Sequence, residues 1–234
     1  HVLAPGSKEV DLTQQGVVSE YLHQEKPAVV VHLAAACGGI GANVAQPGRF
    51  LYENALMGLI LLEQSRLAQI EKFVLISTTC AYPQDAPLPL HEDSIWSGAP
   101  TGATGPYGMA KRLLHEAVST YHRQYGLPGN VLIPANLYGP EDHFDPENSH
   151  VVAAMIRRYW AATQEGLPVV TNWGSGAPTR EFLHVRDAAR GIVRATAFHQ
   201  DTAPVNLGTG IETSIRELAE KVAAAAGYTG RIEW

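Results

Sequence analysis

Short runs of β-branched and apolar residues alternate along this chain with longer segments of helical spacing, and that alternation limits the folds open to it. Ala28-Val29-Val30-Val31-His32-Leu33 reads as a buried strand, after which Leu, Met and Ile recur at helical spacing from Glu53 to Leu67. Lys72-Phe73-Val74-Leu75-Ile76-Ser77 reads as a second buried strand, Tyr107 to Tyr125 as a helix, and Val131-Leu132-Ile133 as a third strand. Runs that are apolar throughout are buried on both faces of a sheet. Strands alternating with helices of this length form βαβ units. The expected fold class is α/β, with a doubly wound parallel sheet and a smaller C-terminal lobe.

The texture changes after Asn136. Leu137 to Ser149 is polar and contains proline, which predicts a loop, with Asn148 or Ser149 placed to cap a helix running to about Ala162. Glu181-Phe182-Leu183-His184 predicts a short strand, followed by a helix from about Val185 to Phe198. Val205-Asn206-Leu207 predicts another strand, and Thr213 or Ser214 caps a last helix to about Ala226. Residues 1–136 and 181–200 are expected in the main α/β domain. Residues 137–180 and 201–234 are expected in the lobe, which would face the sheet's carboxyl edge, where ligands of open α/β sheets bind.

Composition narrows the classes of function. At 234 residues, 45% of them hydrophobic, the chain suffices for one large domain, or one domain with a small lobe. A net charge of −6, with Lys and Arg scattered, argues against nucleic acid as a partner. No stretch approaches the roughly 18 apolar residues of a membrane span. The start, His1-Val2-Leu3-Ala4-Pro5, has no basic segment and does not read as a signal peptide. Two cysteines, Cys37 and Cys80, cannot form a disulfide framework, so a reducing cytoplasm is the expected home and no disulfide between them is expected.

Chemistry is suggested first by Tyr107-Gly108-Met109-Ala110-Lys111. Tyr and Lys four apart share a helix face. A nearby ammonium favours phenolate, so Lys111 is expected to lower the pKa of Tyr107 and fit it for proton exchange with a carbonyl or alcohol. The pattern alone is equally that of an ordinary amphipathic helix. The second strand ends Ile76-Ser77-Thr78-Thr79-Cys80-Ala81-Tyr82-Pro83. A hydroxyl there, from Thr78, would sit at the mouth of the cleft and donate to the oxygen that Tyr107 protonates; the alternative is a Thr that caps local backbone.

Strand, hydroxyl and YxxxK together resemble the catalytic layout of extended short-chain dehydrogenases/reductases, the NAD-dependent epimerase/dehydratase family, on a Rossmann-type sheet. The chain is similar within that family to the GDP-L-fucose synthases. The stretches that carry this are His32-Leu33-Ala34-Ala35, Gly38-Gly39-Ile40, Tyr52-Glu53-Asn54, Cys80-Ala81-Tyr82-Pro83 and Asn136-Leu137-Tyr138-Gly139-Pro140. Asn148-Ser149-His150-Val151, Ile156-Arg157-Arg158, Trp173-Gly174-Ser175-Gly176 and Arg180-Glu181-Phe182-Leu183-His184-Val185 follow in family order. The resemblance implies a reductase triad of Thr78, Tyr107 and Lys111, with Thr78 where the fucose synthases usually have Ser. It implies Cys80 and His150 as an acid/base pair for epimerisation beside a ketone. It implies cofactor contacts from Asp11, Leu12, Leu33, Ala34, Ala35, Asn54, Tyr107, Lys111 and Asn136, and substrate contacts from Asn136, Arg158, Trp173 and Arg180. The expected cofactor is NADP, with NAD possible, and no metal. The expected reaction converts GDP-4-keto-6-deoxy-mannose to GDP-L-fucose, and the expected assembly is a homodimer through the helices near Asn54 and Tyr107. Another sugar-nucleotide epimerase or dehydratase of this fold, or a non-catalytic fragment, are the other readings.

The residues themselves allow these roles. A thiol and an imidazole both titrate near neutrality with modest tuning. A free Cys is also commonly just a small buried residue, and His150 is also placed to contact a helix end. Arg donates two hydrogen bonds to a diphosphate in one plane, and Arg180 is equally placed to pair with Glu181. The resemblance further implies that a first βα unit, with its Gly-rich turn, is missing. His1-Val2-Leu3 is then expected as strand two, separated from its neighbour.

Overall fold

The computed structural model describes residues 1–145 and 149–234. In chain order the elements begin with α1 (Gln15–Glu25), β1 (Val29–His32), α2 (Ile40–Ala45), α3 (Pro47–Leu67), β2 (Lys72–Ile76), α4 (Gly105–Tyr125), β3 (Gly129–Pro134) and β4 (Asn136–Tyr138). There follow α5 (Val151–Gln164), β5 (Val169–Thr171), β6 (Thr179–His184), α6 (Val185–Phe198), β7 (Pro204–Leu207), β8 (Glu212–Ser214), α7 (Ile215–Ala225) and β9 (Arg231–Glu233). The contacts divide the chain into two compact units, His1–Pro134 with Arg190–Leu207, and Ala135–Ala189 with Gly208–Trp234.

The first unit is built on a parallel sheet in the order β1-β2-β3-β7. Every residue of β2 and β3 is buried, as their mostly apolar sequences require; the exceptions, Lys72 and Asn130, are hydrogen-bonded to the carbonyls that end α6 and follow it. Alternation along β2 then divides its side chains between two cores. Phe73 and Leu75 join Leu62, Leu114, Val118 and Val131. Val74 and Ile76 join Leu132, with Ile192, Ala195 and Val205 packed against them. The helices α3 and α4 pack against each other at Gly58, where an added Cβ would run into the side chain of Leu114. Pro106 lies in the first turn of α4, where its missing N–H costs nothing. Gly126 ends the helix in the left-handed conformation, at φ 69°, with its N–H bonded to the His122 carbonyl.

In the second unit β6 pairs with β4 in parallel and with β8 antiparallel, and β5 pairs with β9. Helices α5 and α7 share a core of Val152, Met155, Tyr159, Leu218, Ala219 and Ala223. The Ser214 hydroxyl accepts from Glu217 N at 3.1 Å and caps α7, as its sequence predicts.

Four details differ from the sequence reading. His1-Val2-Leu3 is not a strand: those residues are exposed and without regular structure. Asn136–Tyr138, expected at the edge of a loop, is a strand because β6 supplies its partner. Pro204–Leu207, expected in the lobe, pairs with β3. Helix α5 is preceded by His150 at its N-cap position, not by Ser149; Asn148 lies outside the described residues. Among the described residues no helix is long and apolar enough to cross a membrane.

Candidate active site

β2 stops at Ile76, and the chain turns through Ser77 and Thr78 into a single 3-10 turn, Thr79–Ala81. The Thr78 hydroxyl accepts from Cys80 N at 3.2 Å and so fixes that turn. The first turn of α4 lies against it. Gly108 makes the approach possible, since an added Cβ would strike the Cys80 carbonyl oxygen. Tyr107 is brought beside the strand end this way. Thr78 lies close enough to the Tyr107 hydroxyl to favour its ionised form. One turn on, Lys111 is 2% exposed and donates from Nζ to the Ile76 carbonyl at 3.0 Å. Thr78, Tyr107 and Lys111 thus lie together at the end of β2.

Burial pushes the Tyr107 pKa well above the ordinary tyrosine value; Cys37 and Cys80 push the same way, and Thr78 pulls it part-way back. This corrects the expectation that Lys111 would lower it. The Lys111 Nζ stands 6.0 Å from the Tyr107 ring centroid and is bonded to Ile76 instead. Lys111 itself is pulled down to about 8 by burial, with Cys37 opposing. The arrangement therefore holds a protonated phenol at neutral pH, which is a proton donor and not a phenolate base.

Cys80 lies two residues past Thr78, half-buried and free; Cys37 is exposed and free. No disulfide joins them, as expected. Cys37, to which no role was assigned from the residues, follows β1 and is close enough to act electrostatically on both Tyr107 and Lys111. Three further residues, Ser77, His115 and His32, had no role in the sequence reading. His115 is buried one turn beyond Lys111 and its Nε2 meets the hydroxyl of buried Ser77. His32, at the end of β1, is buried with neither ring nitrogen hydrogen-bonded. Burial first, then the Lys111 charge, holds His32 neutral with a pKa near 3 and His115 near 4. The signal available for His115 was its spacing, four residues beyond Lys111 and eight beyond Tyr107.

The expected cofactor residues divide. Asn54 grips the segment after β1: its side chain accepts from Ala36 N at 3.0 Å and donates to Ala36 O at 2.8 Å. Leu33 is left 64% exposed, with Ala34 and Ala35 following it. Asp11 spends its carboxylate on the backbone and hydroxyl of Thr13, and Leu12 packs on the core. Asn136 donates to the Glu181 carbonyl at 2.9 Å.

The second unit holds His150, Arg158, Trp173 and Arg180. His150 is exposed at the start of α5. Arg158 donates to Asn172 Oδ1 at 2.8 Å, and Asn172 Nδ2 donates to the Tyr159 hydroxyl at 2.7 Å, so a buried network fixes the guanidinium. Arg157 and Arg158 border a cavity of about 450 Å³ with Leu167, Val169 and Thr171. Trp173 is 90% exposed. Arg180 donates to the Thr179 carbonyl and not to Glu181, whose carboxylate takes the backbone N–H groups of Thr209 and Gly210.

A family model for the NAD dependent epimerase/dehydratase family matches residues 4–208. The chain belongs to that family. It is 35% identical to a GDP-L-fucose synthase of Escherichia coli (strain K12), over 96% of this chain and 73% of that relative. Among solved structures, a GDP-L-fucose synthetase from Naegleria fowleri bound to NADP superposes with a TM-score of 0.89 at 30% identity, covering 97% of this chain and 70% of that one. A GDP-D-glycero-L-gluco-heptose synthase from Campylobacter jejuni, in the presence of NADPH, gives a TM-score of 0.89 at 28% identity, covering 99% and 79%.

Proposed function

We propose that this chain carries the catalytic core of a GDP-sugar epimerase/reductase, converting GDP-4-keto-6-deoxy-mannose to GDP-L-fucose with NADPH. The observation that carries the reading is the convergence of Thr78, Tyr107 and Lys111 at the end of β2, with the Cys80 thiol two residues away. The residues present fit the nicotinamide end of a dinucleotide. Asn54 holds the apolar segment 33–36 in place, and the Lys111 ammonium, with three protons to donate, has one acceptor in Ile76.

Bound NADPH would supply the hydride for the ketone carbon. The protein's part is the proton. Tyr107 holds its proton at neutral pH and would give it to the ketone oxygen, while Thr78 donates to the same oxygen and stabilises its developing charge. Epimerisation is assigned to Cys80 and His150. One removes the proton from the carbon beside the ketone, leaving an enolate whose charge rests on the oxygen that Tyr107 and Thr78 serve. The other returns a proton to the opposite face. Arg158 and Arg180 are assigned to the diphosphate. A homodimer through α3 and α4 fits the apolar cavity of about 570 Å³ there, lined by Leu51, Trp96, Met109 and Leu113.

The heptose synthase likeness favours a second reading, a GDP-sugar epimerase/reductase acting on a different sugar. Incubating the full chain with NADPH and a panel of GDP-4-keto sugars separates the two. The fucose reading expects NADPH consumption fastest on the 6-deoxy-mannose ketone, with GDP-L-fucose as product; faster turnover of a heptose ketone would favour the second.

A further inference from the structure

Beneath the reactive hydroxyls lies a buried polar group that the mechanism above does not use. Tyr107, Lys111 and His115 follow one another at four-residue spacing on α4 and share a face. His115 is 3% exposed and Ser77 6% exposed, and they are hydrogen-bonded to each other. Ser77 is flanked by Ile76, whose carbonyl receives the Lys111 proton, and by Thr78. The second ring nitrogen of His115, Nδ1, is buried and without a hydrogen-bond partner among the described residues. An imidazole whose Nε2 proton is given to the serine oxygen presents a lone pair at Nδ1, and the nearby positive charge favours that tautomer. A buried ammonium is costly unless polar neighbours compensate it.

We propose that His115, anchored by Ser77, is a positioning residue for Lys111: its neutral ring gives the buried ammonium a polar neighbour and keeps Lys111 charged beside Tyr107. The idea rests on reading Tyr107 and Lys111 as the reducing couple. The groups around Lys111 are Tyr107, whose ring centroid stands 6.0 Å from Nζ, Arg112, which follows it along α4, and His32, Cys37 and His115, which are coupled to it electrostatically. Of these, His32 stays neutral over the working pH range, and Arg112 is held by the Ala81 and Gly98 carbonyls. His115 is the group that can be exchanged without touching the reacting atoms.

Replacing His115 by Leu removes a polar neighbour and adds apolar surface, and both changes make the ammonium easier to deprotonate. The test is an NMR titration of 13C-lysine-labelled full chain, with the Lys111 Cε signal assigned by its loss in Lys111→Met. The native protein should titrate near 8 at this site. In His115→Leu the midpoint should fall by about half a pH unit or more, and in His115→Gln, which restores a polar neighbour, it should return to the native value. An unchanged midpoint in His115→Leu, or an equal fall in His115→Gln, overturns the proposal. Should His115→Leu fail to fold, Ser77→Ala serves in its place: releasing Nε2 should lower the midpoint, and no change overturns the proposal. The titration needs no substrate, so its failure leaves the reductase reading standing, and that reading falls separately if Tyr107→Phe still reduces ketone.

Discussion

At the scale of single residues, two neutral imidazoles tie stability to pH. His32 and His115 have folded pKa values near 3 and 4, below the usual histidine value of 6.5. Between those limits the unfolded chain binds protons that the folded chain refuses, so stability falls as pH drops below about 6.5. Each residue contributes on the order of a few kcal/mol to that loss. Urea midpoints measured from pH 7 to pH 5 should decline steeply, and His32→Phe should flatten part of the decline. An equally steep decline in the variant would remove His32 from the explanation. The burial of His32 was legible, since it ends a run read as a buried strand, but its unpaired ring was not; His115 was not legible, because its burial is decided by how α4 packs. Tyr107 and Lys111 were legible because one helix turn fixes their relation, and Thr78 because a strand end does. The sign of the Tyr107 shift was misread, since spacing along a helix says nothing about how deeply a phenol is buried.

At the scale of elements, the site depends on how closely α4 meets its neighbours. Gly108 allows the first turn of α4 to lie against the Cys80 carbonyl. Backbone cannot move aside as a side-chain tip can, so Gly108→Ala should push Tyr107 away from Thr78. Ketone reduction by the variant should fall by roughly 100-fold, since misplacement of a reacting group by about 1 Å costs that much. A variant that keeps native turnover would show that the contact does not position Tyr107. Gly58→Ala meets Leu114 instead, a side chain in the core, and should cost about 1–3 kcal/mol by overpacking, read as a lower urea midpoint. The strands of the first unit were legible because β2 and β3 are apolar at nearly every position. β4 was not: Asn136-Leu137-Tyr138 carries no strand signal, and its partner Phe182–His184 lies far along the chain. The misreading of His1–Leu3 has a related cause, for a short apolar run needs a partner to become a strand.

At the scale of the whole molecule, α3 and α4 expose Leu51, Tyr52, Met109 and Leu113, which in the dimer proposed above would be covered. Leu113→Glu should then shift the sedimentation of the protein from dimer to monomer, whereas native sedimentation as a monomer would refute the dimer. The central claim of the proposal is a division of labour, with Cys80 and His150 moving protons beside the ketone and Tyr107 completing reduction. The most direct measurement is the Tyr107→Phe protein with GDP-4-keto-6-deoxy-mannose and NADPH in deuterated water, following NADPH absorbance and deuterium in the sugar by mass spectrometry. Deuterium should enter at the carbons flanking the ketone while NADPH consumption drops by at least roughly 100-fold, the usual scale for losing a general acid. Reduction at the native rate, or the absence of deuterium from a sugar that native protein labels, would contradict the account.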